Sequence, residues 1–242
     1  MNRKMLRTIT LGTFALVAVL CAARRGRAQD AKTSYPSMAP LDQYLMEDRS
    51  TEIALARSAA PPSISKDATV MVLGRHGYET AVEGTNGFVC VVERAWTGAF
   101  DSPEFWNPKN RGPLCYNAPA ARTVLPITLM RTKFVLAGQS KDEIHKSMKA
   151  AVEKKELPAL EPDAMTFMLS KQGRLNDSAG HWLPHLMFYV PLKDAMTWGA
   201  GAPDSPIQVN PHFNGAPEPV TEFMVPVSEW SDGTPANTTA HH

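Results

Sequence analysis

The chain has 242 residues, of which 43% are hydrophobic and 20% are charged, and its formal net charge is +1. This length is ample for one hydrophobic core, so a single domain is expected. Residues 1–28 hold six basic residues and no acid, which leaves 19 basic and 24 acidic residues and a net charge of −5 on the rest. A mildly acidic domain is a poor candidate for binding nucleic acid or an anionic membrane surface.

Residues 1–28 have the order of a secretory signal peptide. Basic residues precede an apolar run over 9–23, which is short for a membrane span and ends in small residues. Cleavage fits after Ala23 or after Ala28. Basic residues directly after the run resist export, so an uncleaved anchor is the alternative, and it is the only membrane contact that the sequence indicates. The protein is expected to be exported to a periplasm or to the extracellular space.

The remaining chain divides into three parts by composition. They are a flexible arm at 29–40, a single domain at 41–230 and a disordered tail at 231–242. The domain begins with a predicted helix over 42–60, which stops at consecutive prolines.

Three short runs rich in β-formers follow, at 68–73, 78–82 and 87–93. Asn86 directly precedes the third run and Gly87 begins it, and an Asn-Gly pair is typical of a hairpin turn. The three runs therefore predict an antiparallel meander. Residues 97–121 follow as a long irregular segment.

The second half of the chain holds the clearest helix, predicted over 140–156. Ser140 and Glu143 form a capping box, and apolar residues recur after them at helical spacing. Further strands are predicted at 164–170, within 175–191, at 207–209 and at 220–227. Residues 123–136 resist assignment because Pro126 interrupts a β-like stretch. The expected fold class is α+β, with an antiparallel sheet covered by the capped helix and by the N-terminal helix.

Two cysteines remain after the signal segment, Cys90 and Cys115, which are 25 residues apart. In an oxidising compartment an even pair predicts a disulfide, and closing such a loop stabilises the fold by roughly 3 kcal/mol. The alternative is that Cys90 is a small core residue within an apolar strand.

His181 and His185 are the candidate metal ligands. Pro184 stands between them, so they do not share one face of a helix as the two histidines of a zinc protease do. In an extended strand four residues span about 13 Å, so a shared ion needs a bulge and a third ligand such as His76 or His212. The alternative is that both rings form local hydrogen bonds. Zinc or another transition metal is the cofactor considered, and none is favoured.

Four irregular segments combine histidine or arginine with asparagine, glycine or proline, at 74–79, 105–117, 176–185 and 210–219. Binding sites are commonly built from polar side chains on such loops. We therefore expect a ligand-binding cluster at one end of the sheet, formed by His76, Asn107, Arg111, Asp177, His181, His185 and His212.

Residues 68–233 resemble a known group of proteins most clearly in three short segments. These are 74–79 (Gly-Arg-His-Gly-Tyr-Glu), 105–108 (Phe-Trp-Asn-Pro) and 180–185 (Gly-His-Trp-Leu-Pro-His). The run resembles a group of uncharacterised exported bacterial proteins. The resemblance implies export, and it implies no activity and no catalytic residue.

Two functions follow from these observations as hypotheses. The first is a periplasmic binding module that holds a small polar or anionic ligand in the loop cluster. The second is a hydrolytic or metal-dependent enzyme centred on His181 and His185. A structural role in the cell envelope is the third alternative.

Overall fold

The computed structural model describes residues 35–177, 180, 182–192, 197–210, 213 and 215–236. These residues belong to one compact unit, Thr33–His242. The described helices are α1 (Arg49–Arg57), α2 (Pro62–Ser65), α3 (Ala118–Thr123), α4 (Leu125–Leu136) and α5 (Lys141–Glu153), with short 3-10 helices at Leu41–Gln43 and Ala95–Thr97. The described strands are β1 (Thr69–Gly74), β2 (Gly77–Val82), β3 (Val89–Glu93), β4 (Gly112–Tyr116), β5 (Met165–Met168), β6 (His185–Pro191), β7 (Gln208–Asn210) and β8 (Val220–Pro226).

The strands form one eight-stranded sheet in the order β2-β1-β3-β4-β5-β6-β8-β7. Neighbouring strands are antiparallel except for β1 and β3, which run in the same direction. A mostly antiparallel sheet with helices packed against it is an α+β domain, so the predicted fold class is confirmed.

The predicted antiparallel meander is wrong at its third strand, because β3 pairs with β1 in parallel. The chain after β2 crosses the beginning of β1, where Gly84 donates a backbone hydrogen bond to the Thr69 hydroxyl at 3.1 Å. A Cβ at Gly84 would lie 2.1 Å from the Thr69 backbone nitrogen, so only glycine permits this crossing. The Asn86-Gly87 pair therefore lies in the crossing and does not form a hairpin.

Helix α1 covers one face of the sheet. It begins after Asp48, whose carboxylate accepts a hydrogen bond from the Ser50 backbone N–H. This cap explains why α1 is shorter than the helix predicted over 42–60. Its buried residues Leu55 and Ala56 pack against β1, β3 and β4.

Helices α3 and α4 cover the opposite face, and α5 packs on α4. Ala120, Val124 and Leu125 share a buried cluster with side chains of β3 to β6. The predicted capping box of α5 is present. The buried residues Ile144 and Met148 of this helix pack with α4. Ile144 and Met148 also share a second buried cluster with Leu73 of β1, so the capped helix contributes to the core on this side of the sheet.

Two elements were missed because a proline interrupted each sequence pattern. Pro126 lies in the first turn of α4, where backbone N–H groups have no partner within the helix, so the missing N–H of proline costs no hydrogen bond. Pro113 lies within β4 at a position where β5 does not pair with it, since the register pairs β5 with Cys115 and Tyr116. The segment predicted to be irregular over 97–121 therefore contains a central strand.

The predicted disulfide is present between Cys90 and Cys115. The two residues lie opposite each other on β3 and β4, and both are completely buried. The disulfide joins two central strands of the sheet, so the alternative of an unpaired core cysteine does not apply.

Residues predicted to be loose at both ends pack on the domain where they are described. In the predicted tail, Ser231 donates to the Leu169 carbonyl at 3.0 Å and Asp232 pairs with Lys171 at 2.8 Å. In the predicted arm, Tyr35 donates to Asp177 at 2.5 Å. The predicted signal segment, 1–28, lies outside the described residues, and no described helix is long and apolar enough to cross a membrane.

Candidate functional site

A cavity of about 750 Å³ lies between the sheet and helix α4. Residues opposite each other on neighbouring strands share a face of the sheet, and several such pairs line it. Met168 faces the cavity opposite His185, and Tyr189 faces it opposite Glu222. The residues Val124, Ile127 and Thr128 line it from the helical side. The cavity is therefore a cleft open to solvent, bordered by the sheet on one side and by the beginning of α4 on the other.

The walls of the cavity are mainly apolar, with Leu114, Met187 and Met224 on the sheet and Trp182 at the side. The Trp182 indole N–H donates to the Met168 carbonyl at 3.2 Å, which fixes the ring. A Cβ at Gly173 would lie 2.1 Å from this ring, so glycine is needed for the ring to occupy its place.

Glu93 brings a buried carboxylate to the cavity at the end of β3. Thr97 donates to its Oε2 at 2.8 Å, and Thr128 donates to its Oε1 at 2.5 Å. Tyr116 also donates to Oε1. The side chain is 4% exposed, and these hydroxyl groups come from α4, β4 and the 3-10 helix after β3. Three separate elements therefore hold one carboxylate in position.

A second carboxylate, Glu222, faces the cavity from β8 and forms a hydrogen bond with Tyr189. The Tyr189 hydroxyl also lies 3.3 Å from the Thr166 hydroxyl. Burial, and then the charge of Glu222, raises the pKa of Tyr189 well above its ordinary value. Burial, and then the charge of Glu93, does the same for the pKa of Tyr116. Both phenols therefore stay protonated at neutral pH.

His185 is the first residue of β6 and lines the cavity beside Met187. Its Nδ1 lies 2.7 Å from the Leu183 carbonyl oxygen, which can only accept, so Nδ1 carries a proton. Burial lowers the pKa of His185, and the ring is therefore neutral at pH 7. In a neutral ring with Nδ1 protonated, Nε2 holds a lone pair that can accept a proton or bind a metal.

The lowered pKa predicts a loss of stability in acid. The unfolded chain binds a proton at His185 near its ordinary pKa of 6.5, whereas the folded state binds it only at lower pH. The stability that the neutral His185 contributes is therefore present above the ordinary pKa of 6.5. It is lost as the pH falls from there towards the lower pKa of the folded state. Urea denaturation at pH 7.5 and at pH 5 should show the wild type losing its advantage over His185→Gln on acidification. Parallel pH profiles for the two proteins would rule out the effect.

Five of the seven predicted site residues are described, and these five lie at one end of the sheet. At this end of the sheet, strands β1, β3, β5 and β8 finish, and strands β4, β6 and β7 begin. His76 lies in the exposed turn after β1, Arg111 directly precedes β4, and His185 begins β6. His181 and His212 lie outside the described residues.

Asn107 and Arg111 do not line the cavity, and local backbone contacts engage their side chains. The completely buried Asn107 accepts a hydrogen bond from the Lys109 backbone N–H at 2.9 Å and contacts Glu104. The Arg111 guanidinium donates to the Pro108 carbonyl at 2.7 Å. Their binding role remains a prediction, and the cavity is lined instead by neighbours such as Glu104.

Asp177 also lies outside the cavity lining. It accepts from Tyr35 and pairs with Arg174 at 2.8 Å and with Lys109 at 3.7 Å. The hydrogen bond from Tyr35 and then that from Arg174 lower the pKa of Asp177 to about 2. Asp177 therefore joins the arm to the loop between β5 and β6.

The predicted metal site cannot be assembled from the described residues alone. His185 lies in the cavity wall, and His181 falls outside the described part of the chain. Among the described residues, no group of three or more histidine, cysteine or acidic side chains is arranged to hold a metal ion. The metal therefore remains a hypothesis that depends on His181.

Sequence reasoning missed the two buried carboxylates of the cavity, Glu93 and Glu222, as site residues. A usable signal exists in each strand, because an acid stands at an alternating position that should face the core. Glu93 follows Val89 and Val91 at a spacing of two, and Glu222 precedes Met224 in the same way. An acid in the core-facing register of an apolar strand indicates a buried polar site.

In comparisons with known proteins, the chain matches no family model, no curated protein and no solved structure.

Proposed function

We propose that the protein is an exported domain that binds a small molecule in the cavity between the sheet and α4. The observation that carries this proposal is the cavity of about 750 Å³. Ligand pockets in proteins typically measure about 300–1,000 Å³ and combine apolar walls with a few fixed polar groups. The apolar walls, the two carboxylates and His185 match that description.

A packing defect is a weaker account of the same space. Protein interiors are packed as densely as organic crystals, and voids larger than a water molecule are few. Here, moreover, buried polar groups surround the space, and each is held by a defined partner. Leu175 and Leu183, at 39% and 38% exposure, lie where the cavity lining meets the surface. An apolar rim beside a pocket with fixed polar groups favours a ligand site.

Export is part of the same proposal. Disulfides persist in oxidising compartments, and the disulfide between Cys90 and Cys115 is compatible with a periplasmic or extracellular location. The signal-like order of residues 1–28 supports it. Amino-terminal sequencing of the protein recovered from the host is expected to begin after Ala23 or Ala28.

The cavity is tested by a fluorescence titration with N-phenyl-1-naphthylamine, an uncharged probe that becomes bright in apolar surroundings. Met187 and Leu186 are neighbours on β6 whose side chains lie on opposite faces of the sheet. Met187→Trp places a larger, rigid ring in the cavity wall and is expected to weaken probe binding at least about tenfold. Leu186→Trp adds the same ring on the other face and is expected to leave binding unchanged.

Circular dichroism and melting temperature establish that both variants are folded. Equal binding by the wild type and by folded Met187→Trp would refute the proposal, as would a wild type that does not bind the probe.

A second candidate, a hydrolytic or metal-dependent enzyme, is favoured by the Nε2 lone pair of His185. A neutral imidazole fixed through Nδ1 is the form required of a general base or a metal ligand. Elemental analysis of untagged protein tests the metal-dependent form. Near-stoichiometric zinc, iron or copper that His185→Ala removes would favour the enzyme, whereas metal retained in that variant would exclude His185 as a ligand.

A further inference from the structure

The charged groups around the cavity are predominantly acidic. Among the described lining residues the acids are Glu93, Asp101, Glu104 and Glu222, and the arginine is Arg94. The Arg94 guanidinium is already engaged, because it donates to Glu52 at 2.9 Å and to the Tyr44 carbonyl at 2.8 Å. The guanidinium is therefore not free to offset the charge of Glu93, and the neutral ring of His185 carries no charge that could do so.

Glu93 is the most informative of these acids. It lies buried at 4% exposure, and within the described part of the chain it forms no ion pair with a lysine, arginine or histidine. Its described hydrogen-bond partners are the hydroxyl groups of Thr97, Thr128 and Tyr116. Buried carboxylates in proteins are ordinarily paired with a cation or a metal as well as hydrogen-bonded.

Two other buried carboxylates of this domain, Glu52 and Glu218, follow that rule. Glu52 pairs with Arg94 at 2.9 Å, and Glu218 pairs with Arg131 at 2.9 Å. Glu93 lines the cavity instead of facing an arginine. Its position therefore leaves the charge partner to come from the cavity.

We propose that the ligand is an apolar molecule carrying a positively charged nitrogen, and that the nitrogen pairs with Glu93. This inference rests on the proposed binding function and specifies its ligand class. An ammonium group donates strong charge-assisted hydrogen bonds to a carboxylate. The rings of Tyr116, Tyr189 and Trp182 border the same space and attract cations over their faces. The methionines and leucine of the walls suit the apolar remainder of the molecule.

An anionic ligand is disfavoured by the same geometry. A carboxylate or phosphate in this cavity would face Glu93 and Glu222 in a medium of low dielectric, where like charges repel strongly. Arg131 cannot offset this repulsion, because its guanidinium already donates to Glu218 and to two backbone carbonyls. This proposal therefore replaces the polar or anionic ligand that the loop composition suggested.

The test compares tryptamine, tryptophol and indole-3-propionate, which present one indole ring with a cation, a hydroxyl group and an anion. Isothermal titration of the full mature chain is expected to show tryptamine binding at least about tenfold more tightly than tryptophol. Indole-3-propionate is expected to bind least tightly. The Glu93→Gln variant should lose the preference for tryptamine while it still binds tryptophol.

Glu83→Gln is the matched control, because it makes the same substitution at an exposed residue outside the cavity lining. It should keep the preference. The order of the three ligands on the wild type tests the charge rule even if Glu93→Gln does not fold. Tryptophol or indole-3-propionate binding as tightly as tryptamine would overturn the inference, and so would a folded Glu93→Gln that keeps the preference.

Failure of all three indoles to bind also overturns the inference, and N-phenyl-1-naphthylamine then separates two cases. If this uncharged probe still enters the cavity of the same preparation, the binding function stands without the cationic ligand class. If the probe does not enter either, the proposed function fails as well.

Discussion

Glu218→Gln is expected to lower the free energy of unfolding by about 3–5 kcal/mol, because it leaves the buried guanidinium of Arg131 without its charge partner. Both side chains have no exposed surface, and the guanidinium donates to the two carboxylate oxygens at 2.9 and 3.0 Å. Arg131 also donates to the carbonyls of Thr97 and Gly98 at 2.6 and 2.8 Å. This one residue of α4 therefore fixes the helix to the segment after β3 and to the segment before β8.

An exposed ion pair with the same bidentate geometry provides the matched control. Arg122 donates to the two oxygens of Glu161 at 2.9 and 2.6 Å, and the two side chains are 59% and 38% exposed. Water solvates these charges when the pair is broken, so Glu161→Gln should cause a much smaller loss. Urea denaturation of both variants at pH 7 measures the difference. Equal losses would show that burial does not determine the strength of the Arg131 pair.

Loss of the disulfide is the second large effect. Replacing Cys90 and Cys115 by alanine is expected to lower the free energy of unfolding by about 3 kcal/mol, because the unfolded chain gains the freedom of an open 25-residue loop. The closed loop includes Glu93 and the segment that carries Thr97, so it also restrains one wall of the cavity.

The single variants Cys90→Ala and Cys115→Ala are the controls, since each removes the same cross-link. Guanidinium denaturation should give similar losses for the two single variants and the double variant. Additive losses would mean that packing of the two side chains, and not the cross-link, supplies the stability. A double variant as stable as the wild type would contradict the prediction.

Local sequence patterns were sufficient for most strands, for α5 and for the fold class. The capping box at Ser140 and Glu143 predicted the beginning of α5 because both hydrogen bonds connect residues three apart. The order of the strands was less accessible. The parallel pairing of β1 and β3 depends on the crossing of the chain at Gly84. There Gly84 lies against Thr69, which is distant in sequence. A hairpin signal at Asn86 cannot report such a contact.

The candidate site was less accessible than the fold, for a related reason. The partners of Glu93 are Thr97, Tyr116 and Thr128, which reach it from 4, 23 and 35 residues away. Nothing in the spacing of these residues indicates that their hydroxyl groups meet at one carboxylate. The loop asparagines and arginines were conspicuous in the sequence, yet residues such as Asn107 are engaged by their own loops.

The central claim is that a small molecule occupies the cavity, and methionine methyl NMR tests it most directly. The chain has 12 methionines, of which Met168, Met187 and Met224 line the cavity and Met148 is buried beside α4. In protein labelled with methyl-¹³C methionine, saturating N-phenyl-1-naphthylamine is predicted to shift the three cavity methyl signals and to leave that of Met148 in place. A bound probe that leaves the three cavity signals unmoved would contradict the account.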